Sequence, residues 1–133
     1  MIVLDTNVVV RIIVDDDPDQ VRQAQALLAA NRCTVPITVV LETSWVLEAS
    51  YQLPVSVVTS SLRQFLGLEQ VEAPHLSAIE QALRWYESGL DFADALHRAL
   101  APTRAGALAT FDQAFIDQAS DTDGCSVIHP ADA

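Results

Sequence analysis

The chain has 133 residues, half of them hydrophobic, which suits one ordinary domain with a real core. Eighteen acids face seven basic residues, all arginine, for a net charge of −11; a global positive field for nucleic acid is excluded, and a basic partner is favoured. No apolar run approaches the ~20 residues that span a bilayer, and the opening MIVLD lacks the basic flank and cleavage site of a signal peptide. Cys33 and Cys125 are too few for a disulfide framework and lack zinc spacing, so the expectation is a cytoplasmic protein with reduced thiols, a bond between the two staying open.

IVL (2–4) is a short apolar run ending in Asp5 and reads as a buried parallel strand. TNVVVRIIV follows as a short helix. DDDPDQ (15–20) leads into the next helix, with Asp17 as N-cap, Pro18 as the first helical residue and Gln20 as the reciprocal capping partner. Val21, Ala24, Leu27 and Leu28 give that helix an amphipathic spacing. CTV (33–35) is a second strand, ended by Pro36. Residues 38–51 form a helix, and Pro54 opens another that runs through Leu66. QVEA (70–73) is a weak strand. SAIE (77–80) is a capping box for a helix to Glu87, and residues 92–100 form one more. ALAT (107–110) is strand-like, Asp112 starts a helix, and CSVIH (125–129) is the last strand. Short apolar strands alternating with helices indicate a single α/β domain over 1–133 with a parallel sheet.

The acids fall in telling places. Asp5 and Asp112 each follow a strand directly, and ligands of open parallel sheets gather at the carboxyl ends of strands. Each is equally a natural helix N-cap. Glu42 has Thr38, Val39, Trp45 and Val46 three and four residues away, so it lies on or beside an apolar stripe; there a carboxylate is costly unless it is paired, metal-bound or able to reach water. In GLDFADALHRAL (89–100), Asp91 is better placed as N-cap than as ligand. Asp94 is the better ligand, with an i,i+4 ion pair to Arg98 as its plain alternative. Four carboxylates from separate segments, if they converge, repel one another and raise their pKa values unless a cation neutralises them. Oxygen donors without His or Cys suit Mg²⁺ or Mn²⁺ rather than zinc. Such a site activates water and binds a phosphate oxygen, which is the recipe for phosphodiester hydrolysis.

MIVLDTNVVV, LETSWVL, GLDFADALH and ATFDQAF resemble, in order and spacing, the acidic motifs of PIN-domain ribonucleases, and in particular the VapC-type toxins of bacterial toxin–antitoxin pairs. The closing VIHPAD is similar to the family's last strand. The resemblance implies a three-layer α/β/α sandwich around a short central parallel sheet. It implies a Mg²⁺- or Mn²⁺-dependent endoribonuclease acting on single-stranded or loop RNA. Asp5, Glu42, Asp94 and Asp112 match the family's acidic positions, with Asp5, Asp94 and Asp112 holding metal and Glu42 ligating directly or through water. Asp91 is secondary. Thr6 and Asn7 match the polar pair after the first acid, and Thr110 matches a small hydroxyl residue that holds the last carboxylate or a water. The resemblance also implies a homodimer and a small cognate antitoxin with a basic or apolar inhibitory segment.

The charge of −11 fits RNA poorly, since RNA affinity usually rests on cationic contacts to phosphate. Arg11, Arg98 and Arg104 are the candidates for that contact, each with a surface ion pair as the alternative. His97 could touch the rim of the site. A phosphoryl-accepting Asp5 is disfavoured, because such sites rely on a lysine and this chain has none. The alternative from another class is a catalytically silent PIN-fold module that binds protein.

Overall fold

In the computed structural model, which describes residues 1–102, 104–120 and 123–133, the alternation of apolar runs and helical stretches becomes five short strands and seven α-helices among those residues. The backbone groups into two compact units, Met1–Leu76 and Ser77–Ala133. The fold is the expected mixed α/β type with short parallel strands, which pair in two sets, of three and of two, rather than in one sheet.

In the first unit, β1 (Ile2–Val3), β2 (Cys33–Thr34) and β3 (Val71–Glu72) lie parallel in that order. Ile2 is opposite Cys33, which is opposite Val71. Parallel neighbours cannot be joined by a tight turn, so helices carry each crossover. α1 (Thr6–Ile13) and α2 (Pro18–Ala30) link β1 to β2, and α3 (Ile37–Ala49) and α4 (Val55–Leu66) link β2 to β3. The core is apolar and closely buried: Leu4, Val35, Val40, Leu47, Val58 and Leu62 are all at 1% exposure or less. α1 packs against α3, which brings the segment after β1 beside the first turns of α3.

Local chemistry sets the boundaries. The Asp17 side chain accepts from the Gln20 N–H at 3.2 Å, and Pro18 opens α2 as expected. Gln20 does not close the capping box; its Oε1 accepts from Arg11 Nε at 2.7 Å. α3 runs slightly earlier than the expected 38–51, because Gln52 adopts a left-handed conformation (φ 53°) that turns the chain away before Pro54.

The second unit holds most of α5 (Leu76–Glu87), then α6 (Phe92–Ala99), β4 (Ala107–Ala109), α7 (Gln113–Ala119), β5 (Ser126–Ile128) and a 3₁₀ turn (Pro130–Asp132). α5 begins at Leu76, with His75 turning the chain at φ 64°, so Ser77 is its second residue and not the expected cap. Gly89 (φ 114°) supplies the left-handed link between α5 and α6. β4 and β5 pair in parallel, Ala107 opposite Ser126 and Ala109 opposite Ile128, and α7 packs on β5. Ile79, Ala82, Leu83 and Ala95 are fully buried, and the rings of Tyr86 and Phe92 meet at 5.4 Å.

One buried charge stands out in this core. Arg98, 4% exposed, donates from Nε to the Cys125 carbonyl at 3.0 Å and lays its guanidinium 4.7 Å from the Trp85 ring centroid. A cation over an indole face is favourable where water is excluded. Gly124 (φ 117°) makes room: a Cβ there would meet Trp85 Cη2 at 3.0 Å and Arg98 Nε at 3.2 Å.

Cys33 is buried and Cys125 half-buried, and both are free thiols. Among the described residues no helix is long and apolar enough to cross a membrane.

Candidate active site

The expected acids occupy two groups, one in each unit. In the first, Asp5 follows β1 and is the N-cap of α1, with Oδ1 accepting from the Thr6 N–H at 2.8 Å. Capping uses one acceptor position; an ionised carboxylate has about four. Asp5, Thr6, Asn7, Val10, Arg11, Glu42, Val46 and Tyr51 surround a cavity of about 260 Å³. Thr6 is 7% exposed, and its Oγ1 has no hydrogen-bond partner.

Glu42 shares that cavity but is exposed, which is the water-reaching alternative that the sequence left open. α3 is apolar on nearly every side, so its inner face could not be read from neighbours. The buried side is Val40, Thr43, Ser44 and Leu47, while Trp45 faces outward at 66% exposure. Water already solvates Glu42, and burial makes no demand for a cation there.

Arg11 reaches the same cavity as part of a network that sequence reasoning missed. Its guanidinium bonds Asp16 Oδ1 at 2.7 Å and the Tyr51 hydroxyl at 3.1 Å, besides Gln20; Tyr51 in turn donates to Asp16 Oδ2 at 2.7 Å. The hydrogen bond from Tyr51, ahead of the Arg11 charge, holds the Asp16 carboxyl below its ordinary range. No local pattern signals it, since Tyr51 lies forty residues from Arg11.

In the second unit, Asp91 is the N-cap of α6, and its Oδ2 accepts from the Asp94 N–H at 3.2 Å. Asp94 follows in the first turn and is half-buried. Burial pushes its carboxyl up, and the charges of Asp91 and Asp112 push it further, partly offset by His97. Asp112 caps α7, with Oδ1 accepting from the Phe115 N–H at 3.2 Å. Its own N–H donates to Thr110 Oγ1 at 3.1 Å, so Thr110 fixes the backbone of the last acid rather than its carboxylate. The charges of Asp91 and Asp112 thus both reach Asp94. Among the described residues, no three His, Cys, Asp or Glu side chains stand in ready coordination geometry.

Of the arginines proposed to touch phosphate, Arg98 is withdrawn into the second unit's core and does not present a surface cation. Arg11 is committed to its acidic network. Arg104 is exposed. Arg22 and Arg32 pair with Asp19 and Glu72.

Within each unit the donors are hard oxygens of the kind that suit a divalent cation: carboxylates beside the buried, unpartnered Thr6 hydroxyl in the first, and in the second an acid whose ionised form is disfavoured by burial and by like charges. Asp5 and Asp112 stand after parallel strands, where ligands of open α/β sheets gather. The PIN-domain profile matches residues 2–120, and the chain belongs to that family, whose members are in general metal-dependent nucleases. The match runs through both units and ends before β5, so the likeness of VIHPAD rests on the sequence alone, although 126–128 do form a strand. No curated protein matches the chain.

Proposed function

We propose that the protein is a metal-dependent endoribonuclease of the VapC type, cutting single-stranded or loop RNA, and that it is held in check by a small antitoxin. Asp5, Asp94 and Asp112 would hold the Mg²⁺ or Mn²⁺, with Glu42 acting directly or through water. The ion supplies Lewis acidity, which lowers the pKa of water and offsets phosphodiester charge. The chain supplies placement. The cap bond to Thr6 fixes Asp5, and the bonds of Asp112 to Phe115 and Thr110 fix the last acid. Asp91 secures the turn that presents Asp94.

The observation that carries this reading is the Asp94 cluster. A family nuclease with an acid raised first by burial and then by two like charges has a specific use for a divalent cation. The net charge of −11 supports a basic antitoxin segment, and the outward Trp45 is compatible with a homodimer. The test is sequencing of the RNA ends made on brief expression, beside an Asp94→Asn control. New ends in the wild type alone are expected; identical ends in both would sink the proposal.

A second reading, a catalytically silent module of the same fold, is favoured by one fact: the described acids do not form a ready coordination cage. Titration calorimetry with Mn²⁺ separates the two, since the silent module takes up no heat.

A further inference from the structure

Phe111 is the most exposed large apolar side chain described, at 80%, and it immediately precedes Asp112. At that exposure the ring contributes little to the buried core. Its position is nonetheless fixed. Thr110 N–H donates to the Ile128 carbonyl at 2.9 Å, which extends the β4–β5 pairing to the residue before Phe111. The Phe111 ring meets His129 edge-to-face, with centroids 5.4 Å apart and planes at 81°. His129 is itself anchored, since its Nδ1 accepts from the Ala131 N–H at 3.0 Å. Whichever ring presents its edge, at least one face of Phe111 stays open. Both residues follow the carboxyl ends of paired parallel strands, on the rim that carries Asp112.

From this placement we infer that Phe111 is a stacking platform for an unpaired nucleobase next to the phosphate handled by Asp112. The inference rests on the nuclease reading and adds what that reading lacks, a source of affinity. Arg11, Arg22 and Arg32 are ion-paired and Arg98 is buried, which leaves Arg63, Arg84 and Arg104 as the other exposed cations of a chain whose net charge is −11, so cationic contact to phosphate is scarce. Base–aromatic stacking needs no charge, and every base has a π-face. An acidic protein can therefore hold single-stranded RNA through a braced ring. Duplex RNA keeps its bases stacked and offers none to that ring, which gives a preference for loops and ends.

The test compares wild type, Phe111→Leu and Phe111→Trp. Binding of a fluorescein-labelled single-stranded RNA is read by anisotropy in EDTA, and cleavage of the same RNA is followed with Mn²⁺. Because the side chain is exposed, thermal melts should coincide, confirming intact folds. Phe111→Leu keeps apolar bulk but loses the plane; it should weaken binding and raise KM about tenfold, within the range of one stacked base, with kcat nearly unchanged. Phe111→Trp should bind at least as well as wild type. An oligonucleotide abasic at the stacked position should bind the wild type and Phe111→Leu alike.

Equal affinity of wild type and Phe111→Leu for intact RNA overturns the stacking inference, and Mn²⁺-dependent cleavage would then still uphold the nuclease. Planarity-dependent binding without cleavage upholds the stacking and removes the nuclease. A wild type that neither binds nor cuts removes both.

Discussion

Asp16 in the first unit and Asp94 in the second sit in opposite electrostatic settings. Asp16 is satisfied by Tyr51 and Arg11, and its charged form is favoured. Asp94 is half-buried between Asp91 and Asp112, and its charged form is disfavoured. The contrast teaches where an incoming cation gains most. The first unit has already matched its acidic loop with its own arginine, whereas the second leaves repulsion standing around Asp94. Burial of apolar groups differs in the same sense. β2 and β3 each carry a buried residue, Cys33 and Val71, whereas the residues of β4 and β5 are half-buried or exposed.

The largest expected effect breaks the comparison at its centre. Asp94→Asn keeps the shape and removes the charge, and should lower RNA cleavage on the order of a thousandfold, the upper end for loss of one preorganised electrostatic group. Asp16→Asn should leave kcat near that of wild type. Equal losses in steady-state assays would show that the two acids are not distinct in role.

Packing comes next. Leu47, fully buried in α3, should cost ~2–5 kcal/mol when changed to Ala, by urea denaturation. Leu108, half-buried in β4, should cost clearly less on the same assay. Metal binding should have a comparable or smaller effect: Mn²⁺ at a hundred times its Kd adds about 2.7 kcal/mol to wild-type stability. Most of that gain should vanish in Asp94→Asn and persist in Asp16→Asn, as read from melting temperatures.

The smallest effect is the pH dependence, and here the two acids have opposite signs. Asp94 has a raised folded pKa, so its contribution to stability is full below the ordinary carboxyl range and is lost as pH rises through the raised value. Asp16 has a lowered folded pKa, so its contribution is present above that range and is lost as pH falls through the lowered value. Asp94→Asn should therefore stabilise the metal-free protein at neutral pH, and Asp16→Asn should destabilise it. Both differences should fade on acidification, which denaturant titrations from about pH 7 to pH 3 would follow.

Much of this was legible in the residues. Asp17 and Pro18 announce the start of α2 because a cap and a fixed φ act locally. Asp5, Asp91 and Asp112 were readable as caps for the same reason. The strand–helix alternation gave the α/β class. Tertiary facts were less accessible. The outward face of α3 was hidden because the helix is apolar almost all round, so Glu42 could not be placed. Arg98 looked like a surface cation, since nothing in its neighbours declares that Trp85 and the Cys125 carbonyl receive it. The Arg11–Asp16–Tyr51 network joins residues up to forty positions apart, beyond any local pattern.

Arg98 lies one turn beyond Asp94 on α6 and grips the carbonyl just before β5. That grip works like a rivet between the helix bearing Asp94 and the final strand. The clearance it needs is guaranteed only by the missing side chain at Gly124. On the proposed function, a side chain at Gly124 would damage cleavage from thirty residues downstream of Asp94, through displacement of the helix rather than loss of any chemical group.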